Sequence, residues 1–402
     1  MSEKRYLKEL VEADITAGWD YEFLKQAISV GKDKAAEEME ASGLVGRGGA
    51  AFPTPLKWSF TKDEEVILIC NADEGEPGTF KDRYIMENNP YLLIEGILIS
   101  AFILRAQQAF IYIRGEYRES IEKVRQAIED SQEALDLCRE NITQDFELKI
   151  VEGAGAYICG DETSLINSVE GVRPASRIKP PYPAQDGLFG HPTIVNNVET
   201  LTNLPFIIRD GGEKYAEMGV ENSCGTKLIA ISGKVNQPGV YEIEMGQVTM
   251  NELIYDLAGG IKHGNDLKFV IPGGVSTQIL TKDELDVPLD YPSLYEQGSS
   301  LGSGAVIVAD ETVDIVEVAQ EAADFFKDET CGTCFPCREG NRQIHYLLKK
   351  IANGEGKRDY FELIKKISNA TSKSARCGLG ETAGNLVVSS IEKLKGEYLQ
   401  YL

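Results

Sequence analysis

The chain has 402 residues, 42% of them hydrophobic and 8% aromatic, and its 64 acidic residues outnumber 41 basic ones for a formal charge of −23. That balance excludes nucleic acid or an anionic membrane as the main partner, and no run of about 18 apolar residues is present to span a bilayer. Two or three domains are expected at this length; the charged, periodic opening MSEKRYLKEL is no secretory signal, and eight cysteines without one point to a reducing, cytoplasmic setting.

In chain order, the first two hundred residues read as mixed α/β. VILIC (66–70), AFIYIR (109–114) and FELKIVEG (146–153) are expected strands. YLLIEGILISAFILRA (91–106) is apolar nearly all round and is expected as a buried core helix, and 117–138 as one long amphipathic helix. The composition turns polar over RDGGEKYAEMGVENSCG (209–225), which suits a linker or a surface helix with loops. KLIAISGKV, GVYEIE, the helical TMNELIYDLAGG, LKFVIPGG and GAVIVAD then follow in quick succession, as in a small α+β module. From Val313 onward four amphipathic segments predict a helical bundle.

Four of the eight cysteines form one pattern, Cys331, Cys334 and Cys337 followed by a lone Cys377. Three thiols spaced by two residues plus one from elsewhere suit a four-iron cluster better than structural zinc, which favours two separated pairs; unliganded thiols are the third reading. Cys70, Cys138, Cys159 and Cys224 stand apart and are expected as buried apolar groups. Only three histidines, His191, His263 and His345, are present, so histidine-based metal or nucleophilic chemistry is disfavoured.

The stretch GLVGRGGAAFPTPLKW (43–58) contains Gly46, Gly48 and Ala51 in a G-x-G-x-x-A spacing. A dinucleotide loop of that type must follow a buried strand and open a helix, whereas the charged KDKAAEEMEAS precedes it and Pro53 and Pro55 interrupt the residues after it. A tight turn without a ligand is the plain alternative, yet bare backbone beside Arg47 and Lys57 is good phosphate chemistry. Directly after VILIC comes the carboxylate-dense NADEGEPGTFKDR (71–83), at the end of a strand where α/β proteins place ligands. GAGAYICGDETSLINSVEG (153–171) joins a strand to a helix, and RIKPPYPAQDGLFGHPTIVNNVETL (177–201) brings Lys179, Tyr182 and the amides Asn196 and Asn197.

With GRGGAAFP, LKW, CNADEGEPGTFKDR, GAYICGDE, KPPYPA, GLFGHPT, VNNVETL, CGTCFPCREG and RCGLGE in one order, the chain resembles the family of flavin-binding, NADH-oxidising subunits of respiratory complex I. It equally resembles the corresponding subunits of soluble NAD-linked hydrogenases and formate dehydrogenases, over roughly residues 30–395. The resemblance implies an α/β FMN- and NADH-binding domain over 1–222 with a non-Rossmann glycine loop. A ubiquitin-like β-grasp module of the soluble-ligand-binding type would follow over 223–311, and a helical bundle carrying one [4Fe–4S] cluster over 312–402. It implies FMN on Gly46, Arg47, Gly48, Lys57, Asn71, Asp73, Glu74, Gly160, Asn196, Asn197 and Thr200. NADH would stack over the flavin with its adenine held by Phe52, Phe60 and Tyr182, with Lys179 near the pyrophosphate. Glu76, Tyr157 and Glu162 would fix the nicotinamide and ribose side as the groups nearest the reaction. Cys331, Cys334, Cys337 and Cys377 would hold the cluster.

The implied activity is that of an FMN- and iron–sulfur-dependent NADH dehydrogenase subunit. Hydride would pass from nicotinamide to flavin, then single electrons through the cluster to partner subunits, a small thioredoxin-like [2Fe–2S] protein and a larger iron–sulfur or catalytic one. The direction and the terminal acceptor stay open, a bifurcating complex included, as do two alternatives: an Rnf-type membrane-associated electron-transfer subunit and a scaffold with a dead flavin site. Ala51 and Pro55 stand where the family has glycines, which is expected to stiffen the loop, and Asp161 stands where it has a glutamate. An acid at Glu162 is expected to repel a 2′-phosphate and so to favour NADH over NADPH.

Overall fold

The computed structural model describes residues 7–13, 18–61 and 65–402, so the first six residues of the charged opening lie outside it. Four strands, β1 (Ile67–Ala72), β2 (Gln108–Ile113), β3 (Glu147–Glu152) and β4 (Thr193–Asn197), make a sheet of order β3-β2-β1-β4. All its pairings are parallel, so the carboxyl ends of all four strands meet at one edge. The chain winds one way from β1 through β2 to β3 and then returns to β4 on the other side of β1. The order therefore reverses between β1 and β4, where Asn71 is in register with Asn197. The three strands expected from hydrophobic runs are β1 to β3.

The helix Pro90–Leu104 is the core helix that its composition predicts, buried along nearly its whole length. It crosses the short helix Val198–Thr202 at Gly96, where an added Cβ would stand 2.2 Å from the Leu201 carbonyl oxygen. The expected single helix over 117–138 is two, Arg118–Asp130 and Gln132–Asn141, broken at Ser131. The Ser131 hydroxyl bonds the Ala127 carbonyl and the Tyr21 hydroxyl, a side-chain competition with the helical ladder. The polar stretch near 209–225 is no linker: it folds into the helix Gly212–Ala216 and the ladder of β5 (Gly219–Val220) with β6 (Ser223–Cys224). Tyr215 anchors it, buried with its hydroxyl donating to Asn203 at 2.8 Å.

A second, mixed sheet runs β10-β9-β11-β7-β8, from β7 (Thr226–Gly233), β8 (Gly239–Glu244), β9 (Leu267–Ile271), β10 (Leu280–Thr281) and β11 (Ala305–Asp310). Its helix opens with a capping box between Thr249 and Glu252 and passes into a wider π turn at Leu253–Leu257. The C-terminal part is helical: Ile315–Glu329, Phe335–Ala352 and Arg358–Ser374 pack with Asn385–Lys393 around Ile344, Leu348, Ile364 and Val387. The last expected segment, ETAGNLVVSSIEKLKGEYL (381–399), is divided among Gly378–Thr382, Asn385–Lys393 and Lys395–Tyr398, and at Gly384 between the first two the backbone passes against Ser368 where no Cβ fits. Among the described residues, no helix is long and apolar enough to cross a membrane.

Alanine at an open helix position is worth about 1 kcal/mol more than glycine. Gly96→Ala is expected to do the opposite and lower stability by about 1–3 kcal/mol in urea melts, because the new methyl meets backbone. Unchanged stability would show that the two helices are not locked at this crossing.

Candidate functional site

The glycine loop lies against the carboxyl edge of the parallel sheet beside β4. Gly46 N–H donates to the Phe52 carbonyl at 2.9 Å and Thr54 N–H to Leu44 at 2.9 Å, which closes the loop into a narrow hairpin. Gly48 sits so close to Asn197 that a Cβ would meet the Asn197 Cβ at 3.1 Å. Arg47 differs from its expected role. Its guanidinium is fully buried and points inward, donating to the carbonyls of Val45 (3.2 Å) and Cys224 (2.5 Å) and to the Tyr215 hydroxyl (3.3 Å). Its N–H is also engaged, with Thr200 Oγ1 at 2.9 Å, so Thr200 braces the loop. Gly48 N–H, in contrast, has no acceptor among the described residues. Of the two departures from the family pattern in this loop, Pro55 fits without strain in the first turn of the helix Thr54–Trp58, where a proline costs no hydrogen bond. Ala51 is held at φ +50°, a left-handed conformation that a Cβ disfavours.

The acidic loop after β1 divides its labour. Asn71 ties two loops together, donating to the Gly160 carbonyl at 2.9 Å and accepting the Asp73 N–H at 3.1 Å. Glu74 turns away from the expected ligand side: its carboxylate accepts the N–H groups of Asp82 (2.8 Å) and Arg83 (3.0 Å) and caps the helix Lys81–Asn88. Asp73 is the exception, because it is buried and neither carboxylate oxygen has a partner. Burial pushes its carboxyl up to about 7, against a pull downward from Arg114. Gly160, whose Cβ would meet nothing nearer than the Asp73 carbonyl at 3.7 Å, leaves open space beside it. An unsatisfied buried carboxylate requires hydroxyl or N–H donors from a ligand, and the hydroxylated ribityl chain of FMN supplies them. The residues present fit that cofactor.

On the expected nicotinamide side, the Tyr157 hydroxyl donates to Glu76 Oε2 at 2.5 Å, and Glu76 Oε1 accepts the Ser276 N–H at 2.9 Å. Burial raises the Glu76 carboxyl above its usual range. Glu162 stands between two cations, Lys57 and Lys179, each at 3.0 Å. These hold it below the usual carboxylate range in spite of burial. Its charge is thereby balanced, and the expected repulsion of a 2′-phosphate is weakened. Asp161 is the N-cap of the helix Glu162–Val169, accepting the N–H of Thr163 and of Ser164, which a carboxylate of its length does well. Phe52, Phe60 and Tyr182 are all about half exposed, and the first two rings lie 6.3 Å apart with a 49° tilt. Large exposed aromatic faces suit a flat ring.

The amides at the end of β4 are partly committed. Asn196 Oδ1 accepts the Trp58 indole N–H at 2.9 Å, and Asn197 caps the helix Val198–Thr202 while donating to Asp82 at 2.6 Å. Beneath them lies a charge network that sequence reasoning missed. Lys81 bonds Asp82 (2.6 Å) and Glu199 (2.9 Å), and Lys227 bonds Glu199 (3.2 Å), all four side chains being almost fully buried. The only signal for Lys81 and Asp82 was a pair of charges inside a run that otherwise read as solvated loop; Lys227, in a strand, gave none.

All four clustered cysteines pack together in one small apolar cluster with Ile158, Phe326, Leu379 and Ala383. Thr330 Oγ1 lies 3.2 Å and the Asn341 amide nitrogen 3.6 Å from the Cys337 sulfur, the kind of donors that stabilise thiolate charge. Burial pushes the thiols of Cys337 and Cys377 up to about 12 and about 11, so the protons must leave when a metal binds. Three thiols from one tight loop and a fourth from a distant position are the donor set that an iron–sulfur cluster takes. The donor set fits the cluster. Cys70, Cys138 and Cys159 are buried away from it, as expected, while Cys224 is half-buried beside the glycine loop.

Ala51→Gly is expected to raise stability in urea melts by about 0.5–1 kcal/mol, since relief of the left-handed strain outweighs the added chain entropy; a loss would contradict it. Asp73 binds its proton more tightly in the folded chain, so its contribution to stability is present at low pH and lost as pH rises through about 7. Asp73→Asn should therefore stabilise the flavin-free chain by on the order of 1–3 kcal/mol at pH 8 and by less at pH 5.5. Equal effects at both pH values would exclude a buried, unpartnered carboxylate.

Three family models match the chain in sequence: the Nuo51 FMN-binding domain over residues 39–205, the SLBB domain over 227–308 and the NADH-ubiquinone oxidoreductase-F iron-sulfur binding region over 317–401. The F subunit of the NADH-quinone oxidoreductase of Aquifex aeolicus is 44% identical over 385 residues, 95% of this chain and 89% of that protein. The NADP-reducing hydrogenase subunit HndC of Solidesulfovibrio fructosivorans is 40% identical over 94% of this chain and 78% of its own. Among solved structures, a NAD+-reducing [NiFe]-hydrogenase in the H2-reduced state superposes with a TM-score of 0.87 at 35% identity over 95% of this chain. The chain spans only 65% of that hydrogenase chain's length. With FMN-binding, SLBB and iron–sulfur regions in that order, the chain belongs to the family of NADH-quinone oxidoreductase F subunits.

Proposed function

We propose that the chain exchanges a hydride between NAD(H) and bound FMN and sends electrons singly to a [4Fe–4S] cluster on Cys331, Cys334, Cys337 and Cys377. FMN, when bound, accepts a hydride and releases electrons one at a time, which couples a two-electron substrate to a one-electron cluster. The observation that carries the proposal is the position of Tyr157. Its hydroxyl holds Glu76 at 2.5 Å at the sheet edge, while its ring packs on Phe325 and Phe326 beside the clustered cysteines. One side chain thus spans from the expected nicotinamide side to the cluster, and the apolar rings around it keep the gap dry.

In this reading Gly48 offers its N–H to the flavin phosphate and Asp73 accepts the ribityl hydroxyls. Gly46, Asn71, Gly160, Asn196, Asn197 and Thr200 shape the cradle. Phe52, Phe60 and Tyr182 take the adenine by stacking. Lys57 serves the flavin phosphate, and Glu162 and Lys179 exchange their internal pairs for ribose and pyrophosphate contacts. Arg47 and Glu74 act from behind, through the loops they fix. No side chain serves as a nucleophile.

The relatives are subunits by name, and this chain carries a single thiol cluster among the described residues. Both facts favour partners that take the electrons onward, a small thioredoxin-like [2Fe–2S] protein and a larger iron–sulfur or catalytic subunit. Eight free thiols favour the reducing cytoplasm.

The FMN-loaded chain is expected to reduce ferricyanide with NADH, its flavin absorbance bleaching on NADH addition. Tyr182→Ala should raise KM for NADH about tenfold with kcat and flavin content nearly unchanged, the signature of lost uniform binding. A flavin that NADH does not bleach would favour a scaffold and overturn the proposal.

A further inference from the structure

The β-grasp sheet reaches under the glycine loop. Lys227 on β7 is fully buried and donates from Nζ to the Arg47 carbonyl at 3.1 Å and to Glu199 at 3.2 Å. Tyr291, on the helix Tyr291–Glu296, donates its hydroxyl to the Gly46 carbonyl at 3.2 Å. Two successive loop carbonyls are therefore held by side chains from outside the flavin domain. A trans peptide is planar, with its C=O and N–H on opposite sides. Holding the Arg47 carbonyl inward turns the Gly48 N–H outward, to the face where Gly48 is exposed and meets no acceptor.

The same lysine shares its counter-ion with a second buried lysine. Lys81 has Asp82 at 2.6 Å, and buried Glu74 lies near it as well. Lys227 has only a share of Glu199, which also serves Lys81 at 2.9 Å. The other charged groups facing Lys227 are Lys81 and Arg47, both cationic; Tyr215 and Tyr291 face Arg47 rather than the lysine. A buried cation so placed favours an anion above it.

We propose that Lys227 is a positioning residue for the flavin phosphate, aiming the Gly48 N–H through the Arg47 carbonyl and placing a buried, only partly balanced positive charge beneath the loop. The proposal rests on FMN occupying this loop. It makes the β-grasp module part of the flavin site. Burial, with Lys81 and Arg47 nearby, brings the Lys227 ammonium down to about 8. Phosphate affinity should then be full below that value and decline as pH rises through it.

The test is titration of the flavin-free full chain with FMN and, separately, with riboflavin, which lacks the phosphate, following quenching of flavin fluorescence. Lys227→Met is expected to weaken FMN about tenfold and leave riboflavin unchanged, with Lys227→Arg restoring most of the loss. Wild-type FMN affinity should fall between about pH 7 and pH 9.5, riboflavin affinity should not, and the methionine variant should show a flat FMN profile. Equal losses for FMN and riboflavin, or wild-type FMN affinity in Lys227→Met, would overturn the proposal. If the methionine variant does not fold, the wild-type profiles decide, and parallel FMN and riboflavin profiles would overturn it. Failure of the wild-type chain to bind FMN better than riboflavin would instead refute the assignment of the loop to FMN.

Discussion

The interaction on which the rest depends is Glu199 with its two lysines. This carboxylate lies in a dry interior at the start of the helix after β4, next to the point where the strand order reverses. It accepts Lys81 from the acidic loop, Lys227 from the β-grasp sheet and the Leu228 N–H at 2.8 Å. Each of those charges would be costly alone in that surrounding, so the three segments that carry them are held in one arrangement. The glycine loop is laid over the arrangement and takes its shape from it, with Arg47 turned inward as a further buried cation. A loop that reads in isolation as a tight turn is therefore also fixed from below.

The same logic of shared residues runs toward the helical domain. Glu76 belongs to the flavin domain but bonds Ser276 of the β-grasp region and Tyr157 of the next loop. Tyr157 in turn rests on Phe325 and Phe326, and its N–H is taken by Glu329 at 2.8 Å. Arg173 donates to the Cys331 carbonyl at 2.6 Å. Three regions thus meet around Tyr157, beside the four clustered cysteines.

Much of this was legible in the sequence because it rests on local patterns. Buried runs gave β1 to β3, the all-apolar 91–106 gave the core helix, and the spacing of four cysteines gave their common cluster. Motif resemblance gave the loops at the sheet edge. What stayed hidden was pairing over long sequence distances. Arg47 looked like a free phosphate ligand because Tyr215 and Cys224, which hold it inside, lie far along the chain. Glu74 and Asp73 are adjacent acids, yet one caps a helix and the other is left without a partner, a distinction that only the turn of the backbone makes. The break at Ser131 depends on a tyrosine hydroxyl from a distant helix.

The most direct measurement of the account is a structure of the FMN-loaded full chain. The account requires the flavin phosphate within hydrogen-bond distance of the Gly48 N–H and a ribityl hydroxyl on Asp73. Arg47 and Lys227 should keep their present inward bonds. A phosphate bound elsewhere, or a loop that reopens and turns Arg47 out to reach it, would contradict the claim that the buried network under the loop builds the flavin site.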